Sequence, residues 1–418
     1  GPLSLSKAAS PFTDMKMNPS IFVIALCQLL APTSSAFQTH TPLPHTAAAN
    51  SLSSSSLRAS SFFFPPPPSP SPSIRDDPTF IPPDLAGEFS ISDSDGIAAA
   101  SLMRRVLVPV PPAINPKGEV GVSYIHWAAP TPSSLPPILL VPGFDSSCLE
   151  FRRLGPKLAQ KGVDVYAVDL LGWGFTELPP RDSSSERDYS ATAKLTTLQS
   201  FWTALKGDGA AVVIGGASLG GAAAIEFASS PTSPATACVL LDAQGFVDGV
   251  GPVVSLLPRP LARWGINVLK SEPLRESANQ MSYFDKEAYA TDDALKIGRV
   301  HCLREGWEEG MLNFMTTGGF RPKEKVADIT QRSCVIWGRQ DGILDGNEFA
   351  NKFMETLPNE DNELHWIEEC GHVPHLEQPQ VTADVIYEFM RKGADENSAE
   401  TGTGWEASKK FVLDIFGK

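Results

Sequence analysis

The chain has 418 residues, 42% of them hydrophobic, and its 48 acidic and 34 basic side chains give a formal net charge of −14. That is enough chain for one large domain or two ordinary ones, and the acidic balance argues against nucleic acid or an anionic membrane surface as a bulk partner. The six cysteines are scattered without a C-x-x-C pair, so the sequence indicates neither a zinc site nor a disulfide framework.

Residues 1–85 have the composition of targeting sequence. Gly1-Pro2 is typical of a cleaved affinity tag, so residues 1–14 are of uncertain origin. A lysine, an apolar run over 21–31 and a small-residue cleavage site predict a signal peptide over 15–36, too short to span a bilayer. Residues 37–85 are rich in Ser, Thr, Ala and Pro, which predicts a disordered transit or linker segment.

The predicted cleavage junction carries an aromatic residue, Ala36-Phe37. This arrangement resembles the bipartite plastid presequence of diatoms and related algae, and it implies a plastid (chloroplast) location. The alternative is an ordinary secretory signal followed by a Ser/Pro-rich linker.

From about residue 96, short apolar runs alternate with helical segments. Strands are predicted over 106–110, 120–127, 138–141, 163–168, 211–214, 237–241, 334–337 and 364–367, and helices over 149–160, 192–205, 220–228, 347–356 and 381–391. Apolar strands that alternate with helices indicate an α/β fold, a mostly parallel eight-stranded sheet with helices on both faces. Ligands of such sheets bind at the carboxyl ends of the strands.

The alternation stops between residues 245 and 322, where the sequence is helical and rich in apolar residues. We expect this segment to be a helical cap, inserted between strands 6 and 7 of the eight and covering the site. The core would then comprise residues 96–244 and 323–392, followed by a tail over 393–418 with no assigned role.

One serine stands at a predicted strand–turn–helix junction, in Gly216-Ala217-Ser218-Leu219-Gly220. The G-x-S-x-G pattern is weak by itself in a chain rich in Gly and Ser, but the apolar run before it supplies the required context. Small residues on both sides let strand and helix approach closely, so that the turn holds Ser218 strained and exposed. A plain glycine-rich β–α turn is the alternative.

A serine nucleophile needs a base, and four histidines follow Ser218. His372 lies in a loop after the last predicted strand and is the expected base, with His375 as its competitor. His301 lies in the predicted cap and His365 within a strand, where we expect packed structural histidines.

The acid that orients the base should lie between the serine and the histidine in sequence. Asp341 ends a predicted strand and is the first choice. Asp345 in the same loop and Asp242 at the end of the preceding strand are alternatives, although such residues are more often caps or turn residues.

The oxyanion of an acyl transfer needs two donors. We expect the backbone N–H groups of Leu219, after the nucleophile, and of Phe144, in the loop after the third predicted strand, to supply them. A third glycine-punctuated loop, residues 169–176, is interpreted as a structural turn that shapes the pocket wall.

With serine, acid, base and oxyanion loop in this order, residues 104–392 resemble the α/β-hydrolase superfamily. Three segments, 143–153, 167–175 and 298–303, resemble the plastid branch that contains chlorophyll dephytylase and pheophytinase. Dehalogenases and epoxide hydrolases share the cap layout but use an aspartate nucleophile, which Ser218 excludes. Pro142 departs from the histidine common before the oxyanion glycine, and Ala217 from the commoner bulky or polar neighbour of the nucleophile.

The resemblance implies a serine carboxylic-ester hydrolase that forms an acyl-enzyme and needs no cofactor or metal. Together with the presequence, it suggests chlorophyll or pheophytin as substrate, with peripheral association with the thylakoid membrane. The alternatives are a general plastid hydrolase of lipids, carotenoid esters or thioesters, and a non-catalytic protein that binds a hydrophobic ligand.

Overall fold

A computed structural model describes residues 75–178, 187–249 and 258–395. The predicted signal peptide, the transit segment up to residue 74 and the tail from residue 396 lie outside the described residues.

The described residues form one nine-stranded sheet. Its strands are β1 (Arg75–Asp76), β2 (Met103–Pro109), β3 (Glu119–Trp127), β4 (Ile138–Val141), β5 (Val165–Val168), β6 (Val212–Ala217), β7 (Ala235–Leu241), β8 (Arg332–Gly338) and β9 (Glu363–Ile367). They lie in the order β1-β2-β3-β5-β4-β6-β7-β8-β9. The β1/β2, β2/β3 and β3/β5 pairs are antiparallel and the remaining pairs are parallel, which confirms the predicted mostly parallel sheet.

The central strands are apolar and buried along their whole length, because helices cover both faces of the sheet. The core helices are α1 (Ser94–Ser101), α2 (Leu154–Gln160), α3 (Ala191–Lys206), α4 (Leu219–Ala228), α10 (Gly346–Thr356), α11 (Pro374–Glu377) and α12 over 379–395. Val212 and Ile214 of β6 pack into one apolar cluster with α3, α4 and α10. Val213, between them, packs into the other cluster with α1, α2 and α12.

Between β7 and β8 the chain forms a series of helices in the segment assigned to the cap, residues 245–322. These are α5 (Arg259–Leu269), α6 (Glu272–Ser282), α7 (Lys286–Tyr289), α8 (Asp292–Val300), a 3₁₀ turn (His301–Leu303) and α9 (Trp307–Thr316). Trp307, Met311 and Phe314 of α9 join the same apolar cluster as Trp173 of the core. In the described part of the cap, α9 thus shares the apolar cluster of the core and packs directly on the loops at the end of the sheet.

The structure differs from the predicted disordered segment over 37–85 in its last part. Arg75 and Asp76 pair with β2, opposite Leu107 and Val106. Leu85 is only 2% exposed. Residues 75–85 belong to the folded unit because they extend the sheet edge and bury an apolar side chain, and β1 is the strand that the eight-strand prediction lacked.

Within the described residues, Cys148, Cys238, Cys302, Cys334 and Cys370 are all buried free thiols. No helix in the described part of the chain is both long and apolar enough to cross a membrane.

Candidate active site

Ser218 occupies the turn between β6 and α4 with φ 50° and ψ −120°, a left-handed backbone that a non-glycine residue rarely adopts. Such strain costs of order 1–3 kcal/mol and persists only where the surroundings impose it. Here a Cβ at Gly216 would lie 2.1 Å from the Gly220 carbonyl oxygen, so only glycine fits where strand and helix cross. The Ser218 carbonyl accepts from the amides of Gly221 and Gln244, each at 2.9 Å, which fixes the turn.

Asp341 and His372 follow β8 and β9, and their side chains meet: His372 Nδ1 lies 2.8 Å from Asp341 Oδ2. Asp341 Oδ1 also accepts from the amides of Ile343 at 2.7 Å and Leu344 at 3.1 Å. Burial alone would raise the pKa of Asp341, but the His372 imidazole and the amides of Ile343 and Leu344 together hold the pKa below its usual value. An ionised Asp341 that accepts from Nδ1–H leaves His372 Nε2 as the proton acceptor.

The loop that carries His372 follows β9 at the same edge of the sheet as Ser218, because β6 and β9 run parallel. Gly371 packs so tightly on the end of β8 that a Cβ at Gly338 would lie 1.8 Å from the Gly371 carbonyl oxygen. The His372 amide then donates to the Ser282 carbonyl of the cap at 2.7 Å. Within the described residues no hydrogen bond joins Ser218 Oγ to His372, a bond that often tightens only in the substrate complex.

The two alternative acids have other surroundings. Asp242 follows β7 at φ 42°, is fully buried, and accepts from the Gly338 amide at 2.9 Å. Burial, together with the neighbouring Asp341 carboxylate, raises the pKa of Asp242 well above its usual value. Asp345 caps α10 by accepting from the Asn347 amide at 2.9 Å.

The competing histidines are engaged elsewhere. His375 is fully buried, with Nε2 2.9 Å from Glu150 Oε1, while Glu150 Oε2 accepts from the Gly143 amide at 2.9 Å. His375 therefore supports the oxyanion loop from behind, a role that sequence reasoning missed. The sequence feature that could have indicated this role is Glu150, seven residues after Gly143 in segment 143–153, which resembles the dephytylase branch. His365 lies on β9, 2.8 Å from Glu363.

The loop that carries Phe144 lies directly beside the serine, since a Cβ at Gly143 would be 3.4 Å from Ser218 Cβ. Leu219 is the first residue of α4, so its N–H has no partner within the helix. The Phe144 N–H meets no acceptor within the described part of the chain. Two amides therefore flank Ser218 without an internal partner, as an oxyanion hole requires.

Comparison with known families decides the assignment. The model of the alpha/beta hydrolase family matches residues 138–385, more than half of the chain. The chain belongs to the α/β-hydrolase family.

Its relatives among characterised sequences include hydrolases of different kinds. The alpha/beta hydrolase domain-containing protein VTE7 of Arabidopsis thaliana is 32% identical over 317 residues, 75% of this chain and 90% of that protein. Lipase 1 of Psychrobacter immobilis is 26% identical over 256 residues, 59% of this chain and 74% of the lipase. A thermophilic esterase from Thermogutta terrifontis superposes with a TM-score of 0.55 at 20% identity, over 69% of this chain and 99% of the esterase, a similarity of fold alone. The chain thus has a lipase among its sequence relatives and shares its fold with an esterase.

The loop after β5 is built around one buried carboxylate of the hydrolase core. Asp169 accepts from the amides of Cys148 at 2.6 Å and Phe175 at 2.7 Å, and also from the Ser123 hydroxyl. These bonds close the 169–176 loop on itself and tie it to β3 and to the turn at Cys148, which agrees with the interpretation of this loop as a structural turn.

Two clusters in the described residues have ligand-type atoms within 4.8 Å of one another, the proximity that a metal ion requires: Asp145, His301 and Cys302, and Asp242, Asp341 and His372. In the first, the guanidinium of Arg275 already binds the Asp145 carboxylate. In the second, Asp341 is held by His372 and two amides. Both clusters are therefore organised by N–H donors of the protein itself.

Proposed function

We propose that the protein is a serine carboxylic-ester hydrolase that works through an acyl-enzyme, with Ser218, His372 and Asp341 as its triad. The observation that carries the proposal is the 2.8 Å contact between His372 Nδ1 and Asp341 Oδ2 after β8 and β9, at the edge of the parallel sheet where β6 ends in the strained turn of Ser218. A protein that only binds a ligand has no need of an ionised carboxylate against a histidine at this edge of the sheet.

The reaction follows from these positions. Ser218 Oγ attacks the ester carbonyl as His372 Nε2 takes the hydroxyl proton, and His372 then gives that proton to the departing alcohol. Water attacks the acyl-enzyme by the same route, and its proton returns through His372 to Ser218. Asp341 remains ionised throughout and stabilises the imidazolium.

The developing oxyanion would be held by the N–H groups of Phe144 and Leu219. Loss of one such donor typically costs about 3 to 4 kcal/mol of transition-state stabilisation. Two observations support this assignment: Glu150 fixes the Gly143 amide next to Phe144, and Leu219 is the first residue of α4.

For the substrate we propose a hydrophobic plastid ester such as chlorophyll or pheophytin, which would lose phytol. Support comes from the plastid-type presequence, from the resemblance to the dephytylase branch, and from the aromatic contacts that link Phe314 of α9 through Trp173 to Phe144. A general plastid lipid, carotenoid-ester or thioester hydrolase would use the same triad.

The proposed membrane association is peripheral, at the thylakoid surface. Helix α5 of the cap exposes Leu261 and Trp264, at 48% and 55%, one turn apart on the same face. Indole rings favour the boundary between lipid headgroups and acyl chains. Flotation of the protein with neutral galactolipid vesicles is the expected result, and a protein that stays at the bottom of the gradient contradicts the association.

The test incubates the full chain with chlorophyll or with pheophytin and quantifies free phytol by mass spectrometry. Ser218→Ala should abolish release, and Ser230→Ala, just beyond the C-terminal end of α4, should not. A fluorophosphonate probe should label the parent protein and not Ser218→Ala. Turnover of other esters without phytol release would favour the general hydrolase. Absence of labelling in folded protein would favour the binding protein and refute the enzyme.

A further inference from the structure

A second buried carboxylate adjoins the proposed oxyanion donor. Asp145 directly follows Phe144, is 1% exposed, and has a left-handed backbone at φ 48°. Burial alone would raise the pKa of Asp145, but Arg275 and His301 outweigh it and hold the pKa well below its usual range, so Asp145 is an anion.

The donors to this carboxylate come from the cap. Asp145 Oδ1 accepts from Trp307 Nε1 at 2.8 Å and lies 3.1 Å from His301 Nε2, and Oδ2 binds the guanidinium of Arg275. Arg275 also donates to the Asp145 carbonyl at 3.3 Å. Charge-assisted bonds of this kind are stronger and more directional than neutral ones.

Arg275 is itself fixed within the cap. Its guanidinium donates to the carbonyls of Leu269 at 2.9 Å and Gly298 at 3.4 Å, and to Cys302 Sγ at 2.9 Å. One side chain therefore joins the end of α5, the end of α8 and the 3₁₀ turn to the loop beside the nucleophile. Movement of any of these cap segments would be transmitted to Asp145.

The side chain of Phe144 gives a second, apolar link. Its ring packs edge-on against Trp173 at 5.7 Å, and Trp173 packs against Phe314 of α9 at 4.8 Å. The cap thus reaches Phe144 in two ways: it contacts Trp173, on which the Phe144 ring packs, and it donates to Asp145, the next residue.

From these contacts we propose that Asp145 is a positioning residue through which the docked cap holds the Phe144 N–H in the oxyanion hole. The inference rests on the proposed function, because the oxyanion hole stabilises a charge that develops only in acyl transfer. It makes the cap part of the apparatus that stabilises the transition state, in addition to any contact with substrate. It also gives a physical reason for two of the segments that carry the family resemblance, 143–153 and 298–303, since they meet at this carboxylate.

The test is Asp145→Asn, which keeps the size of the side chain and removes the charge that Arg275 binds. We expect kcat to fall about 10- to 100-fold, as for loss of a group that orients a reacting one, with little change in KM. Affinity for a trifluoromethyl ketone, which binds as an oxyanion, should fall by the same factor as kcat. A merely structural role would not link these two numbers.

Matched variants separate the alternatives. Asp77→Asn removes a part-buried carboxylate paired with an arginine, Arg105, next to the edge strand β1, and should leave kcat unchanged. Trp307→Phe removes one N–H donor and keeps an aromatic ring, so kcat should fall by a smaller factor. In the double variant Asp145→Asn/Trp307→Phe the effects should be non-additive, because both act on one contact.

A kcat within twofold of the parent value for Asp145→Asn overturns the inference, provided that Ser218→Ala is inactive in the same assay. Should Asp145→Asn fail to fold, Trp307→Phe decides: a lower kcat at unchanged KM supports the inference and an unchanged kcat overturns it. Turnover by Ser218→Ala would instead refute the proposed function itself.

Discussion

Replacement of Gly220 by alanine tests the close approach that forms the serine turn. Gly220 is the second residue of α4, and a Cβ there would lie 2.2 Å from the Val141 carbonyl oxygen and 2.4 Å from that of Pro142. Both atoms are backbone, at the end of β4 just before the loop that carries Phe144. A side chain cannot rotate away to relieve this overlap, so the helix and the loop must separate by about 1 Å.

The magnitude follows from that separation. Overpacking of this kind costs about 1–3 kcal/mol of unfolding free energy, which corresponds to a fall in Tm of roughly 2–10 °C. The proposed oxyanion donors lie one residue before Gly220, at Leu219, and two residues after Pro142, at Phe144, and a misplacement of about 1 Å can lower a rate 100-fold. We therefore expect a kcat lower by about two orders of magnitude in a protein that still folds.

The assay compares urea denaturation and steady-state kinetics of Gly220→Ala and Gly265→Ala. Gly265 lies within α5 with nothing within 4 Å of an added Cβ, so alanine there should stabilise the protein by about 0.5–1 kcal/mol and leave kcat unchanged. Parent-like stability and kcat for Gly220→Ala would refute the reasoning, because the two elements would then have room to spare.

Two further substitutions address the carboxyl groups near His372. Asp341→Asn should lower kcat by about 10⁴-fold with little change in KM, because the amide favours the wrong histidine tautomer; kcat within tenfold of the parent value would assign the role to another acid. Asp242→Asn should gain stability relative to the parent protein as pH rises from about 4, measured by urea denaturation at pH 5 and pH 8. The folded-state pKa of Asp242 is raised, so its favourable contribution is complete below the unfolded pKa and is lost as pH rises through the folded value, whereas asparagine does not titrate. Equal stability differences at the two pH values would contradict the raised pKa.

The arrangement of the sheet could be predicted because it is encoded locally. Each parallel strand is a short apolar run bounded by turns, and the serine turn is recognisable from glycines whose absence of a Cβ the structure explains at Gly216 and Gly220. The ends of the last two predicted strands also indicated Asp341 and His372, and the structure places His372 Nδ1 2.8 Å from Asp341 Oδ2. Their catalytic roles stay predictions.

The contacts that support the site could not be predicted in the same way, because they join residues far apart in sequence. Asp145 meets Trp307, His301 and Arg275 only after the cap has docked. Lys194 gives another example. A lysine on a helix predicts a solvated side chain, yet this one is fully buried, donates to the Leu171 carbonyl, and lies 3.9 Å from the centre of the Trp173 ring.

The buried thiols are native probes of local and global unfolding in this protein. A thiol reacts as its thiolate and only when reagent reaches it, and burial raises the pKa of Cys238 to about 12. In native protein, labelling must therefore wait for local or global unfolding. Cys302 lies in the cap and Cys238 and Cys334 in neighbouring strands of the sheet. Modification rates measured cysteine by cysteine would show whether the cap opens as a unit of its own or only when the sheet unfolds. No cysteine has to be engineered for this measurement.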